Sequence, residues 1–459
     1  MDILKKIFET PEKMKKLDLK KGFKTPLAGT PDISVIKLTE PDTVAVSAMD
    51  IPFIRPKLLV RENDLVKIGT PVFCDKRNRR INYVSCGAGQ VKQFVYGPRR
   101  RLKEVVISLS KTIDPVGDIV QFEPLSEKAL VSAKTSQIVR MLQKGGLWQC
   151  LREFPSKDTA DETSKPSMII VSMNGNDLFS PHPGVLLDGA ADTFQYGLKL
   201  LALFCENIVV SARQSSMDRL NGFHTIISHT VNDFYPAWDP GVVLYQLKQS
   251  VKDNLSWCVS AEHLIYMAEF LSTGQYPVKK IVTISRSHDR KPHIITRQGV
   301  PIKDLIGSAG NQNIVTTGLF NGRSVDLDTH LGFFENTLNV IEKGPEASMF
   351  GFMTPGFSTP SESKTYVSAM VRKQKTLDCN IHGEQRACIN CGYCIKICPV
   401  DLLPNFIMKA LISDDMEDAL SYGLLDCTRC GLCAYACPSK IELTDILSNG
   451  MDAHYKDKE

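Results

Sequence analysis

Between Leu58 and Leu109 the chain alternates apolar and polar residues in short bursts. LVRENDLVKIGTPVF, INYVSCGAGQV and KEVVISL are each closed by Gly, Asn or Pro, which predicts short strands joined by tight turns. The period then changes. Met168–Ser172, Ile208–Ser211, Thr225–Ser228 and Lys280–Ser285 read as strands, and Ala190–Cys205, Val242–Lys248 and Ala261–Leu271 as helices. That alternation predicts a three-layer α/β domain with mostly parallel strands. Before it, residues 125–165 read as a helix followed by a polar linker, SKDTADETSKP. After it, KPHIITRQGVPIKDLIGSAG and NIVTTGLFNGRSVD predict strand, glycine turn, short helix, strand and glycine turn. Near the carboxyl end Leu402, Leu403, Phe406, Ile407, Ala410 and Leu411 share one helical face. Asp414 or Asp415 can cap the next helix and Gly423 can end it.

That last helix separates two cysteine runs of one design. Cys388, Cys391, Cys394 and Cys398 stand at spacings of two, two and three residues with Pro399 next; Cys427, Cys430, Cys433 and Cys437 repeat the pattern with Pro438. This is the ligand pattern of paired [4Fe-4S] clusters. Three thiolates two residues apart can wrap one cubane, and the fourth points elsewhere; in two-cluster ferredoxins it ligates the neighbouring cluster. The expected sets are therefore Cys388, Cys391, Cys394 and Cys437 for one cluster, and Cys427, Cys430, Cys433 and Cys398 for the other. Zinc sites draw four ligands from two separated CxxC pairs, and disulfides do not persist in a reducing compartment, so neither calls for two matching four-cysteine runs. Gly392 and Gly431 would let backbone amides approach the sulfurs, and Tyr393 and Tyr435 would shield the clusters.

The remaining composition narrows the class. The 459 residues are 43% hydrophobic and 23% charged with a net charge of +4, which predicts three or four packed domains and gives no charge footprint for nucleic acid. Residues 1–20 carry lysines beside Ile3, Leu4, Ile7 and Phe8, with no secretory h-region. The longest apolar stretch, Tyr196–Val210, is interrupted by Lys199, Glu206 and Asn207, so no membrane span is expected. Of fourteen cysteines, the six outside the runs (Cys74, Cys86, Cys150, Cys205, Cys258 and Cys379) read as structural, with Cys205 buried and Cys379 a spare thiol.

In open α/β sheets ligands sit beyond the carboxyl ends of the strands. The first such loop, Met173–Gly184, has no GxGxxG, so an FMN or NADH phosphate would lack the glycine-lined amide cradle. His224, His229 and His263 show no metal-ligand spacing. Two basic clusters, Lys76/Arg77/Arg79/Arg80 and Arg99/Arg100/Arg101/Lys103, read as solvated loop charge, with an acidic partner or anionic lipid as a second reading.

Residues 51–109 resemble the flattened barrel of biotinyl and lipoyl carriers, without the Met-Lys of their modified hairpin, and Lys291–Asp326 resembles the β-grasp module that binds soluble ligands. LDLKKGFKTPLAGTPD, MIIVSMNGNDLFSPHPGVLL, KPHIITRQGVPIKDLI and GFMTPGFSTPSESKTYVSAM are similar to the A subunits of the Na+-translocating NADH:quinone reductase (Nqr) family over residues 18–370. The domain order with a two-cluster ferredoxin resembles the C subunits of the Rnf electron-transport complexes. The resemblance implies a multidomain α+β chain: an N-terminal extension at 1–20, a barrel-sandwich module at 21–120, a Rossmann-like α/β domain at 121–285, a β-grasp module at 286–370 and an α-helical two-cluster ferredoxin domain at 371–459. It further implies an oxidoreductase component, peripheral on the cytoplasmic face of the inner membrane, relaying single electrons through two [4Fe-4S] clusters. Its partners would be the membrane subunits of an Nqr/Rnf-type complex, with quinone or ferredoxin/NADH as electron partners. An FMN- and NADH-binding input component, and an assembly scaffold braced by its clusters, are the alternatives.

Overall fold

The computed structural model describes residues 14–458 apart from 25–26, 111–113, 115–116, 287–288, 308–312, 344–354, 358–365, 371–373 and 380–383. Two expectations from the sequence fall outside these residues: the apolar positions before residue 14 and most of GFMTPGFSTPSESKTYVSAM.

The barrel-sandwich is built from two small antiparallel sheets. Thr43–Ser47, Leu102–Leu109, Gly89–Tyr96 and Leu65–Val66 form one, and Pro56–Leu58, Pro71–Asp75 and Asn82–Val84 the other. The alternation seen in the sequence delivers Val44, Val66, Val72, Phe73, Val91, Val105 and Ile107 to the space between them.

The α/β domain holds a seven-stranded sheet in the order Lys15–Leu17, His229–Val231, Ile208–Arg213, Ile169–Ser172, Trp257–Ser260, Arg152–Glu153 and Asp158–Thr159. Ile169–Ser172 pairs in parallel with Ile208–Arg213 on one side and Trp257–Ser260 on the other. The strand order reverses there, so the carboxyl ends of Ser172 and Ser260 mark the crevice where such sheets take ligands. Being covered on both faces, Ile169–Ser172 is buried throughout, as a parallel strand must be. Ala191–Ala202 and Ala261–Thr273 cover one face, Gly197 letting the two helices approach until Leu264 would touch an added Cβ.

Several expectations are corrected. The extension does not run to residue 20: Lys15–Leu17 is the edge strand beside His229–Val231, and Leu19 is buried. The polar stretch after Ser156 is no linker, because Asp158–Thr159 closes the other edge and Arg77 pairs with Asp158 at 2.6 Å. The third strand is His229–Val231 rather than Thr225–Ser228: ladder pairing begins at Ser228, whose N–H donates to the Val210 carbonyl and whose carbonyl accepts from the Lys15 N–H. Lys279–Arg286 leaves the α/β domain altogether. It sits in the second sheet between His293–Arg297 and Thr337–Glu342, and Val35–Lys37, assigned to the barrel, adds to the same sheet. Trp257–Ser260, not expected from the sequence, is a central strand because it pairs with Ile169–Ser172 on one side and Arg152–Glu153 on the other. Arg77, expected to be solvated, is instead a partly buried interdomain pair with Asp158, whereas Arg80 stays exposed as expected while reaching Glu162.

The carboxyl-terminal domain is helical, with Tyr393–Ile397, Pro404–Ile412, Met416–Ser421, Leu432–Tyr435 and Leu443–Lys458. The Asp415 side chain caps Met416–Ser421 by accepting from the Asp418 N–H. Of the expected apolar face, Ile407 and Ala410 are buried, whereas Phe406 points outward at 38% exposure. This domain shares one core with the α/β domain, in which Leu19, Phe23, Tyr235 and Trp238 meet Ile397, Leu424 and Leu432. Among the described residues no helix is long and apolar enough to cross a membrane.

Candidate metal centre

The two cysteine runs fold as copies of each other. Asn390 and Arg429, each just before the second cysteine, lie in the left-handed region at φ 56° and 57°. Gly392 and Gly431, just after it, lie at 74° and 83°, and Asp401 and Lys440, three residues past the fourth cysteine, at 54° and 57°. Each glycine opens a one-turn helix, Tyr393–Ile397 or Leu432–Tyr435. Gly431 has a second duty missed in the sequence: an added Cβ would stand 2.0 Å from the Phe320 carbonyl oxygen, whereas Gly392 faces open space.

The fourth cysteine of each run crosses to the other. Cys398 lines one cavity with Cys427, Cys430 and Cys433, together with Pro399, Leu432 and Thr444. Cys437 packs with Cys394 and Cys388 beside Met408, Ile441 and Leu443, and Cys394 is in electrostatic contact with Cys391 and Cys437. Cys433 also feels Cys394, so the two nests are neighbours. Among the described residues no three His, Cys, Asp or Glu side chains close on a single-ion point. Thiolates round a cubane ligate different iron atoms and need not converge in that way.

Burial, then repulsion from neighbouring thiolates, pushes Cys433 up to about 12. Burial first, and then the Cys433 thiolate, raise Cys430 well above the ordinary thiol range. Burial lifts Cys398 to about 11, against the pull of the Val400 and Leu402 backbone N–H groups, which donate to it. Cys427 and Cys394 are likewise raised by burial and opposed by backbone N–H groups, from Arg429 and from Asn405 and Ile395 respectively. Soft sulfurs crowded in a dry nest and faced by amides fit a polynuclear iron-sulfur group, which removes the thiol protons on binding.

A wall contributed from far along the sequence closes the second nest. Tyr235 donates its hydroxyl to the Cys430 carbonyl oxygen at 3.0 Å. Its ring lies 5.2 Å from that of Phe320, which lies 4.9 Å from Tyr435, and Phe23 packs edge-on to both Phe320 and Tyr435. Tyr435 thus joins a shield as expected, but its partners had no local signal. Lys248 pairs with Asp426 at 2.6 Å across the same boundary. The first nest is more open: Cys391 is exposed and Ile389 is 66% exposed.

The other sequence candidates take structural places. His263 is buried, and its Nδ1 meets the Ser260 hydroxyl at 2.8 Å. His229 is buried in its strand and meets the Ser228 hydroxyl, while His224 meets the Met217 carbonyl. Cys205, expected to be buried, is half-buried because it follows the end of its helix, and Cys379 is exposed. Two polar residues of loop Met173–Gly184 are spent on the fold. Asn174 bonds Ser216, Asp177 accepts from Asn339, and the Asp177 carboxyl is raised by burial. Beyond Ser172 and Ser260 a cavity of about 290 Å³ is bounded by Arg152, Asn176, Phe334 and Asn336.

Three domain-family models match the chain: the NqrA N-terminal barrel-sandwich hybrid domain over residues 17–110, the NqrA second alpha/beta domain over 133–276, and a 4Fe-4S dicluster domain over 387–441. Three similar proteins are each named as the A subunit of a Na(+)-translocating NADH-quinone reductase. The Cellvibrio japonicus protein is 26% identical over 95% of this chain and 98% of its own length. The Marinomonas protein is 26% identical over 93% and 96%, and that of Neisseria meningitidis 24% identical over 96% and 100%.

Proposed function

We propose, from a chain that carries both NqrA domains together with a dicluster ferredoxin domain, that it is the electron-relay subunit of a membrane Nqr/Rnf-type oxidoreductase. The observation that carries the reading is the crossing of Cys398 and Cys437 into each other's nests. A crossed pair holds two [4Fe-4S] clusters side by side, one in Cys388, Cys391, Cys394 and Cys437 and the other in Cys427, Cys430, Cys433 and Cys398.

When bound, such clusters supply one-electron oxidation and reduction. The chain's own residues do the rest. The cysteines hold the group, the N–H groups of Val400, Leu402, Arg429 and Leu432 donate to the sulfurs of the second nest, and the aromatic wall excludes water from it. No acid-base machinery is needed in this polypeptide, so chemistry at NADH, ferredoxin or quinone falls to partner subunits. The relay sits on the cytoplasmic face, held there by membrane subunits. Iron, sulfide and EPR measurements on anaerobically purified protein test it: about eight irons and two interacting signals are expected, and stoichiometric zinc without sulfide refutes it.

The cavity beyond Ser172 and Ser260 favours a second reading, in which FMN and NADH bind there and this chain is the electron input. Co-purified flavin, or NADH bleaching the cluster absorbance without partners, would support it; absence of both leaves the relay.

A further inference from the structure

The hairpin joining Gly89–Tyr96 to Leu102–Leu109 is turned by Pro98-Arg99-Arg100-Arg101, with the Arg101 N–H donating to the Pro98 carbonyl at 3.2 Å. Arg99 and Arg100 both lie in the left-handed region at φ 55°. A two-residue turn with both central residues left-handed is built most easily from Asn-Gly, because any Cβ there crowds the backbone. This chain places consecutive arginines in it.

Nothing among the described residues repays that arrangement. Arg99, Arg100 and Arg101 are exposed, and none has an ion pair or ring contact among the described residues. The stem of Lys103 runs back past Gly97, whose added Cβ would meet Lys103 Cε at 2.9 Å, so a fourth cation stands close to the tip. Tyr96, just below, is 47% exposed. The neighbouring basic cluster is different: Arg77 and Arg80 are tied to Asp158 and Glu162. Strained backbone of this kind concentrates in segments that carry function.

We propose that this hairpin tip docks on an anionic lipid surface. A narrow, convex tip of guanidinium forks matches a plane of phosphates better than it matches a recess in a folded partner, and an amphipathic tyrosine suits the headgroup level. Three cations at such a surface contribute roughly 10²-fold in affinity at low salt, which would supplement the membrane subunits of the proposed function. The inference is independent of the clusters.

Sedimentation of the full chain with phosphatidylcholine vesicles, with and without phosphatidylglycerol, tests it. The wild type should bind only the anionic vesicles, with an affinity that falls as salt rises. Arg99→Ala/Arg100→Ala/Arg101→Ala should lose roughly 10²-fold. The decisive variant is Arg99→Asn/Arg100→Gly, which relieves the turn: its thermal midpoint should rise while its affinity for anionic vesicles falls roughly thirtyfold. Unchanged vesicle binding in that variant overturns the proposal. So does equal binding of the wild type to neutral vesicles, or a requirement for the arginines only in retaining partner subunits in a detergent-solubilised complex.

Discussion

The Tyr235 hydroxyl and the Cys430 carbonyl, 195 residues apart in sequence, are joined by a hydrogen bond of 3.0 Å at the boundary between the α/β and ferredoxin domains. The hydroxyl proton, the positive end of its dipole, points at a residue of the second nest. Tyr235→Phe keeps the ring against Phe320 and Trp238 but removes that proton. The potential of the second cluster should fall while that of the first stays put, and stability should drop by about 1–2 kcal/mol because a buried carbonyl loses its donor. Redox titration followed by EPR reads both. Intact clusters with both potentials unchanged would sink the assignment of Tyr235, whereas absent clusters would sink the relay itself.

Crossed ligation makes an exchange of signals the expected result. Cys437→Ser should damage the cluster of Cys388, Cys391 and Cys394 and spare the one at Cys427, Cys430 and Cys433; Cys398→Ser should do the reverse. Each variant should keep about four irons. If each serine instead removes the signal of its own run, ligation is uncrossed.

The two glycines at equivalent places should respond unequally. Gly392→Ala meets no atom within 4 Å and carries only the cost of left-handed backbone, about 1–2 kcal/mol. Gly431→Ala carries that cost and also drives a Cβ into the Phe320 carbonyl, for a loss on the order of 3 kcal/mol or more. Denaturant unfolding of the two proteins compares them, and equal losses would show that the Phe320 contact gives way freely.

Acid should weaken the corner where the α/β and β-grasp domains meet. His182 Nδ1 accepts from the Gly184 N–H at 3.1 Å, and the His182 N–H donates to His293 Nε2 at 2.8 Å, so both rings work unprotonated. Burial, helped by the neighbouring His293, holds His182 down to about 4 from 6.5, and burial also lowers His293. The unfolded chain therefore takes up protons first. The contribution is complete above pH 6.5 and is lost as pH falls toward 4. His182→Asn retains a capping oxygen and should flatten the dependence of the thermal midpoint across that window. A slope matching the wild type would dissociate these histidines from acid sensitivity.

The chemistry of this protein is written locally. Eight cysteines at fixed spacing, each run with its glycine and proline, specify the two nests because ligand spacing and backbone sign are properties of a few consecutive residues. The same holds for the alternating strands of the barrel and for the Asp415 cap. Tertiary structure decided what no short window could carry. Lys15–Leu17 and Val35–Lys37 are three-residue strands that exist only because a distant edge offers them backbone partners, and Lys279–Arg286 belongs to the second sheet because its neighbours lie there. The wall of Phe23, Tyr235 and Phe320 follows the same logic: each ring is an ordinary apolar residue until folding brings three segments to one carbonyl, since hydrophobic burial rewards proximity in space and is blind to separation along the chain.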